Sequence, residues 1–370
     1  MTLRSLLLST GIRRLGGSRE GFRYARADGV RVTRADLRRI MELRIPPGWE
    51  EVAIDRRAGG KLQAVGRDAA GRWQYLYRLS HARQRSRAKF DRLIAFGRAL
   101  PRLRRALARD LARPGLPREK AVACAVAMLG TCALRPGSEI YATKNGSFGL
   151  ATLRRRHVRV SGTRILLDFR GKHGRRQQHE LESPILARIL GEMMRQPGHD
   201  VFKYLDASGA PRDLRRPHLN AYIKAAMGAR FSARDFRTWT GTLLCAGALA
   251  RADGAHSSGP GARAEAPPTA AATRRAIAAA VRKTAAWLGN TPAVCRRSYI
   301  HPGVLRAFER GAWVRESRVR PVSLVGGRTG GLDRSEHALL ELLEGAGAAE
   351  RRRASASQPG AARPRLLRAA

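Results

Sequence analysis

The sequence predicts an α+β protein in two parts, a small β-rich N-terminal domain and a mainly α-helical domain that carries a small antiparallel sheet. Three observations predict it. Residues 21–100 begin as short alternating runs broken by Pro and Gly before turning helical; AVACAVAMLGTCAL (121–134) is an almost unbroken apolar helix; and TRILLDFR, GKHG and RRQQHELE read as strand, turn and strand. A chain of 370 residues is long enough to give each part its own core.

Taken in order, residues 1–20 carry arginine and, before Glu20, no acid, and are read as a basic, disordered segment, with a transit peptide as the alternative. IPPGWEEVAI (45–54) starts from a proline-fixed turn and runs into a strand, and KLQAVGRDAAGRWQYLYRL (61–79) reads as two strands joined across 66–71. In the second of these, Gln74, Tyr75 and Tyr77 place an amide and two phenols beside Arg72 and Arg78, with both tyrosines on one face. They are either strand packing or a surface that meets phosphates and base edges in a groove. Residues 81–112 form a long basic helix, and the domain boundary is placed at 100/101, where Pro101 interrupts it. After the apolar helix, Arg135 is pinned by Pro136 and Gly137 where the helix stops, to cap its end or to face a site. Lys172 rides on the tip of the β-turn 171–174. FSARDFRTWTGTLLCAGAL opens a strong helix whose start is marked by Ser232 and Asp235 as a capping box, with Arg234, read as a DNA-binding residue, and Arg237 in its first turns. Residues 251–273 are rich in Ala, Gly, Ser and Pro and read as a flexible linker, followed by a helix over 274–288. LGNTPAVCRRSYIHP then offers Thr291 as N-cap, Pro292 as first helical residue and Tyr299 near the end of a short helix, nine residues after Asn290. Residues 311–370 are read as one short helix and a basic disordered tail.

Composition narrows the partner. Lys plus Arg is 72 against 29 Asp plus Glu, a formal charge of +43. Such a chain calls for an anionic polymer, and double-stranded DNA is the expected partner. A GC-rich genome inflates arginine, but it does not thin out the acids. The four cysteines form no CxxC pair and read as reduced, buried thiols of a cytoplasmic, nucleoid-associated protein, and no apolar run is long enough to cross a membrane. No carboxylate cage and no Walker A loop is present, so neither metal nor nucleotide cofactor is expected.

Arg135, Lys172, Arg237, Asn290 and Tyr299 together supply what phosphodiester transfer requires. The phenol is a nucleophile, the arginines are forked cations for the non-bridging oxygens, and the lysine is an acid for the leaving oxygen. IPPGWEEV, LQAVGRDAAGRWQYLY, KFDRLIAFGRALP, NGSFGLATLRRRHV, FRGKHG, RDFRTWTGT and LGNTPAVCRRSYIHP resemble, in order and spacing, the bacterial, poxvirus-like type IB DNA topoisomerases. The resemblance spans about 21–310 and implies a C-shaped clamp around duplex DNA, with 101–310 as the catalytic domain and a single chain doing the work. It implies Tyr299 as the nucleophile of a 3′-phosphotyrosyl link, Arg135 and Arg237 as transition-state stabilisers, Lys172 as general acid and supercoil relaxation without ATP. Three positions depart from the pattern. Asn290 stands where the poxvirus enzymes have histidine, Arg234 where lysine is usual, and Pro136 where a β-branched or aromatic residue is usual. A tyrosine recombinase shares the chemistry but usually shows H-x-x-R, and here Arg234 precedes Arg237 by three. A non-catalytic basic DNA-binding protein is the remaining alternative.

Overall fold

The computed structural model describes residues 2–17, 20–69, 71–257, 269–314, 323–325 and 330–356, with the backbone alone over 79–87, 253–257 and 349–356. The chain divides into two compact units, 1–89 and 90–370.

The first unit is a five-stranded antiparallel sheet in the order β2-β1-β3-β4-β5, with one helix on each face. Helix α1 (Leu3–Thr10) leads into the hairpin β1 (Ile12–Gly17) and β2 (Gly21–Arg26), and α2 (Arg34–Glu42) precedes β3 (Glu50–Ile54), β4 (Leu62–Arg67) and β5 (Trp73–Tyr77). Residues 1–20 are therefore not a disordered tail in their described part. The Thr2 hydroxyl caps α1 by accepting the N–H of Ser5. Leu7 then buries against Ala53, Leu62 and Val65, and β1 joins the sheet with Ile12 opposite Ile54. The leucines of LRSLLLST supply the apolar face by which this arginine-bearing segment docks. On the opposite face Ile40 of α2 packs on Ile12, Val52, Ile54 and Ala64.

The second unit begins inside α3 (Leu79–Leu111), not at Pro101, which lies within that helix. An interior proline costs about 3 kcal/mol. Leu100, Leu103, Leu107 and Leu111 are all fully buried at helical spacing, and each contributes roughly 1.5–3 kcal/mol, so burial carries the helix through. The apolar helix is α4 (Arg118–Thr131), followed by the short α5 (Glu139–Asn145). The three-stranded sheet β6 (Val158–Ser161), β7 (Arg164–Arg170), β8 (Arg176–Glu182) is antiparallel throughout, with Ile165, Leu167 and Phe169 buried on one face. Helix α6 (Pro184–Arg195) and α7 (Arg216–Met227) flank a two-stranded hairpin, β9 (Lys203–Leu205) with β10 (Pro211–Asp213).

Four helices finish the unit: α8 (Ala233–Ser257), α9 (Ala270–Leu288), α10 (Pro292–Tyr299) and α11 (Pro302–Glu309), with α12 (Arg334–Ala356) closing the described chain. The expected linker is shorter than 251–273. Its first seven residues prolong α8, Thr269 caps α9 by accepting the N–H of Ala272, and 258–268 lie outside the described residues. Alanine, a strong helix former, explains both extensions. Helix α9 is docked through Ile277, Ala280, Val281, Ala285 and Leu288, all buried. Helix α12 is longer than the short helix expected and belongs to the core. Leu339 and Leu343 are buried, and Glu336, fully buried, takes both guanidinium arms of Arg104 at 2.9 Å. The tail from 357 onward lies outside the described residues.

Candidate functional site

Tyr299 is the last residue of α10. Thr291 caps that helix by accepting the N–H of Val294, Pro292 occupies its first turn, and Ile300 leaves the helical region ahead of Pro302. The tyrosine backbone is fixed from α8. The Thr242 hydroxyl donates to the Thr238 carbonyl at 2.7 Å, lies 3.3 Å from the Tyr299 carbonyl and accepts the N–H of His301 at 3.0 Å. A side chain at Gly241 would place its Cβ 2.7 Å from the Tyr299 carbonyl oxygen, so only glycine allows this approach.

One turn earlier on α8, Arg237 is buried, with its guanidinium carbon 5.0 Å from the centre of the Tyr299 ring. It is held by two backbone carbonyls, donating to Ala133 at 2.6 Å and to Leu288 at 2.7 Å. Ala133 follows α4 in the left-handed conformation (φ 45°), and Leu288 is the last residue of α9, so two helix ends meet on one cation. It is thus Arg237, and not Arg135, that takes the carbonyl at the end of α4. Arg135, half-buried, donates instead to Asn290 Oδ1 at 2.8 Å. Asn290 is buried, its own N–H is satisfied by the Ala285 carbonyl at 2.9 Å, and its Nδ2 has no partner. The Nε of Arg237 is also buried without a partner. Two donors are therefore left over beside one phenol, as an oxygen-rich anion would require.

The electrostatics are one-sided. Burial works to raise the Tyr299 pKa, but the charges of Arg237 and Arg135, a hydrogen bond from Arg237 and the charge of Arg234 outweigh it and leave the phenol below its usual value. Burial, with repulsion from Arg135, pushes Arg237 down to about 10. Asp235, the nearest acid in sequence, is already engaged. It accepts from the backbone and hydroxyl of Ser232, both at 2.9 Å, and from Arg92 at 2.9 Å.

Residues from distant parts of the sequence, Arg135, Arg234, Arg237, Asn290 and Tyr299, thus converge. Lys172 is carried separately, exposed on the tip of the β7–β8 hairpin. Its mount is close to the cluster, because the Gln177 side chain of β8 lies against Gly289, next to Asn290. Two residues along, His179 meets Trp287 edge-on at 5.9 Å, and burial, then Arg237, pushes its pKa down to about 4. Gln177, His179 and Thr242 did not stand out in the sequence. The small residues of RTWTGT are a signal that could have marked a close approach near Thr242, and nothing local marks the other two.

In the first unit, Tyr75 and Tyr77 share a face of the edge strand β5, exposed, with ring centres 6.4 Å apart. Gln74 does not join them. It alternates to the other side of the strand and donates to Asp68 at 2.7 Å.

With this geometry in place, comparison with known proteins identifies the family. The family described as eukaryotic DNA topoisomerase I, catalytic core, matches residues 79–312, and that described as bacterial DNA topoisomerase IB, N-terminal domain, matches 21–68. The DNA topoisomerase 1B of Acanthamoeba polyphaga mimivirus is 32% identical over 282 residues, covering 75% of this chain and 81% of the viral protein. The chain belongs to the type IB DNA topoisomerases. The catalytic-core match contains every member of the Tyr299 cluster and Lys172, and α12 lies beyond it. Among the described residues no helix of this topoisomerase is long and apolar enough to cross a membrane.

Proposed function

We propose that the Tyr299 cluster is the transesterification centre through which this topoisomerase cuts and reseals one DNA strand. The observation that carries this reading is the buried phenol itself, faced by arginines and by two unpartnered donors, with its proton already loosened. Tyr299 Oη attacks a backbone phosphorus; a P–O bond to the tyrosine forms and the P–O5′ bond breaks. Arg135 and Arg237 hold the non-bridging oxygens where charge builds, and Asn290 Nδ2 adds one hydrogen bond. The phenol proton passes to solvent, and Lys172 delivers a proton to the departing O5′, a contribution of roughly 10² to 10⁴ in rate. The 3′-phosphotyrosyl link conserves the bond energy, so the free strand rotates and its 5′-hydroxyl attacks back without ATP.

Tyr75 and Tyr77 meet the duplex from the first unit, while Gln74, on the other side of β5, orders the preceding turn through Asp68. Arg234 supports the phenol by charge alone, since no histidine stands three residues before Arg237. The enzyme works as a monomer in the cytoplasm at the nucleoid, where a charge of +43 meets its polyanion. The test is a duplex whose short 5′-hydroxyl fragment diffuses away after cleavage. A denaturation-resistant adduct on the 3′ side should form with the parent and be absent with Tyr299→Phe; an adduct with both would remove Tyr299 from the nucleophile's role.

A further inference from the structure

The general acid of the proposed reaction sits on a hairpin tip, while the phosphate-binding groups come from helix ends, so something must set the first against the second. Gln177 lies between them. It is 8% exposed, and its Nε2 donates only to the adjacent Arg176 carbonyl at 3.1 Å, so the side chain is not held by a distant hydrogen bond. What holds it is two glycines. A Cβ on Gly171, the residue before Lys172, would stand 2.8 Å from Gln177 Cγ. A Cβ on Gly289, the residue before Asn290, would stand 2.2 Å from Gln177 Nε2 and 2.8 Å from its Oε1. Real Cβ atoms do not approach so closely, so with Gln177 where it stands neither position has room for a Cβ. Gly289 also has φ +62°, the left-handed end of α9, and its conformation and its contact call for the same residue. The turn is closed behind Gln177 by Gly171 N–H donating to the Arg175 carbonyl at 2.8 Å. His179, on the same face of β8, rests on Trp287, so the strand seats on the last turn of α9 at two points.

We infer that Gln177 is a positioning residue for the acid step: its side chain, wedged between Gly171 and Gly289, fixes the Lys172 turn relative to Asn290 and Arg135. The inference rests on the reading of Lys172 as the acid that protonates O5′. Because the wedge acts by filling space, a side chain of similar length without the amide preserves it, and a short one releases the turn.

The chemistry of the leaving group isolates this effect. When the bridging 5′-oxygen is replaced by sulfur, the departing thiolate needs no proton, so an error in placing the acid no longer costs rate. Single-turnover cleavage is measured with the full-length protein on oxygen and sulfur versions of the same suicide duplex, for Lys172→Ala, Gln177→Ala and Gln177→Met. Gln177→Ala should slow the oxygen substrate by about 10-fold to 100-fold, as misplacement of a reacting group by ~1 Å does. It should cleave the sulfur substrate at the parent rate, and Gln177→Met should restore the oxygen rate to within about 3-fold of the parent, the tolerance of a near-isosteric swap. Equal slowing of both substrates by Gln177→Ala, or no slowing of either, overturns the inference while leaving Lys172 as the acid if Lys172→Ala alone is rescued by sulfur. Failure of sulfur to rescue Lys172→Ala overturns the acid reading itself, and the role of Gln177 with it.

Discussion

Replacing Arg237 by alanine should damage catalysis more than folding, and the contacts of Arg237 bound the cost to each. Removal strands two buried carbonyls, those of Ala133 and Leu288, now bonded at 2.6 and 2.7 Å; at roughly 1–3 kcal/mol each that costs about 2–6 kcal/mol. Against this stands the strain of burying the cation. A guanidinium brought from 12.5 down to about 10 carries a penalty of about 3 kcal/mol that alanine relieves. The net change in stability is therefore between a slight gain and a loss of about 3 kcal/mol. Loss of a preorganised donor to a transition-state oxyanion costs ~10²- to 10³-fold in rate. Arg237→Lys keeps the charge, but one ammonium on an unforked stem cannot reach both carbonyls and a phosphate, so its rate should fall between the two. Urea unfolding measures the first quantity, and single-turnover cleavage by the folded protein measures the second. The reasoning is refuted if Arg237→Ala loses more than about 5 kcal/mol while its folded fraction still cleaves at the parent rate.

Two further outcomes follow from the same contacts. On the 5′-thiolate duplex, where no acid is needed, the cleavage rate should rise with pH through a midpoint below the ordinary phenol value, because the cations favour the ionised form; Arg234→Ala removes one of them and should move that midpoint upward. Arg104→Met should destabilise the protein by roughly 3–5 kcal/mol, since fully buried Glu336 is left without its cation; pairing Arg104→Met with Glu336→Leu should recover only part of it in thermal or denaturant unfolding, because the Ser323 and Gly331 carbonyls also lose their donor.

Where the signal was local, the sequence was readable. Thr291-Pro292 marked the start of α10, and the alternation of Ile165, Leu167 and Phe169 marked the hairpin. Three features were hidden, each because a long-range contact decided it. Residues 3–17 looked like a tail because their partner, the β3 edge and the face around Val65, lies elsewhere in the sequence. Pro101 looked like a boundary because the leucines that carry α3 past it matter only once buried. Gln177 looked like one more polar residue in a polar strand, because a wedge is defined by the two glycines it separates and these lie far apart in the chain.

The way the arginines are anchored explains how the site stays ready for an anion. A buried cation is ordinarily paired with a carboxylate, which settles its charge but also cancels it. Here Arg237 is held by the carbonyls of two helix ends, and Arg135 by the amide oxygen of Asn290. These partners are dipoles without net charge. They fix the guanidinium groups in place while leaving the full positive field directed at the phenol, which is why its proton is loosened although burial alone would tighten it. Asp235 could have been the competing anion, but Arg92 and Ser232 engage it at the mouth of α8. A carboxylate introduced at the same site, Asn290→Asp, would place its charge 2.8 Å from Arg135, neutralise the cation and repel the incoming phosphate. Both effects oppose the proposed attack on a phosphate, so the substitution should lower the single-turnover cleavage rate far more than the loss of one hydrogen bond, worth about 1 kcal/mol, would account for.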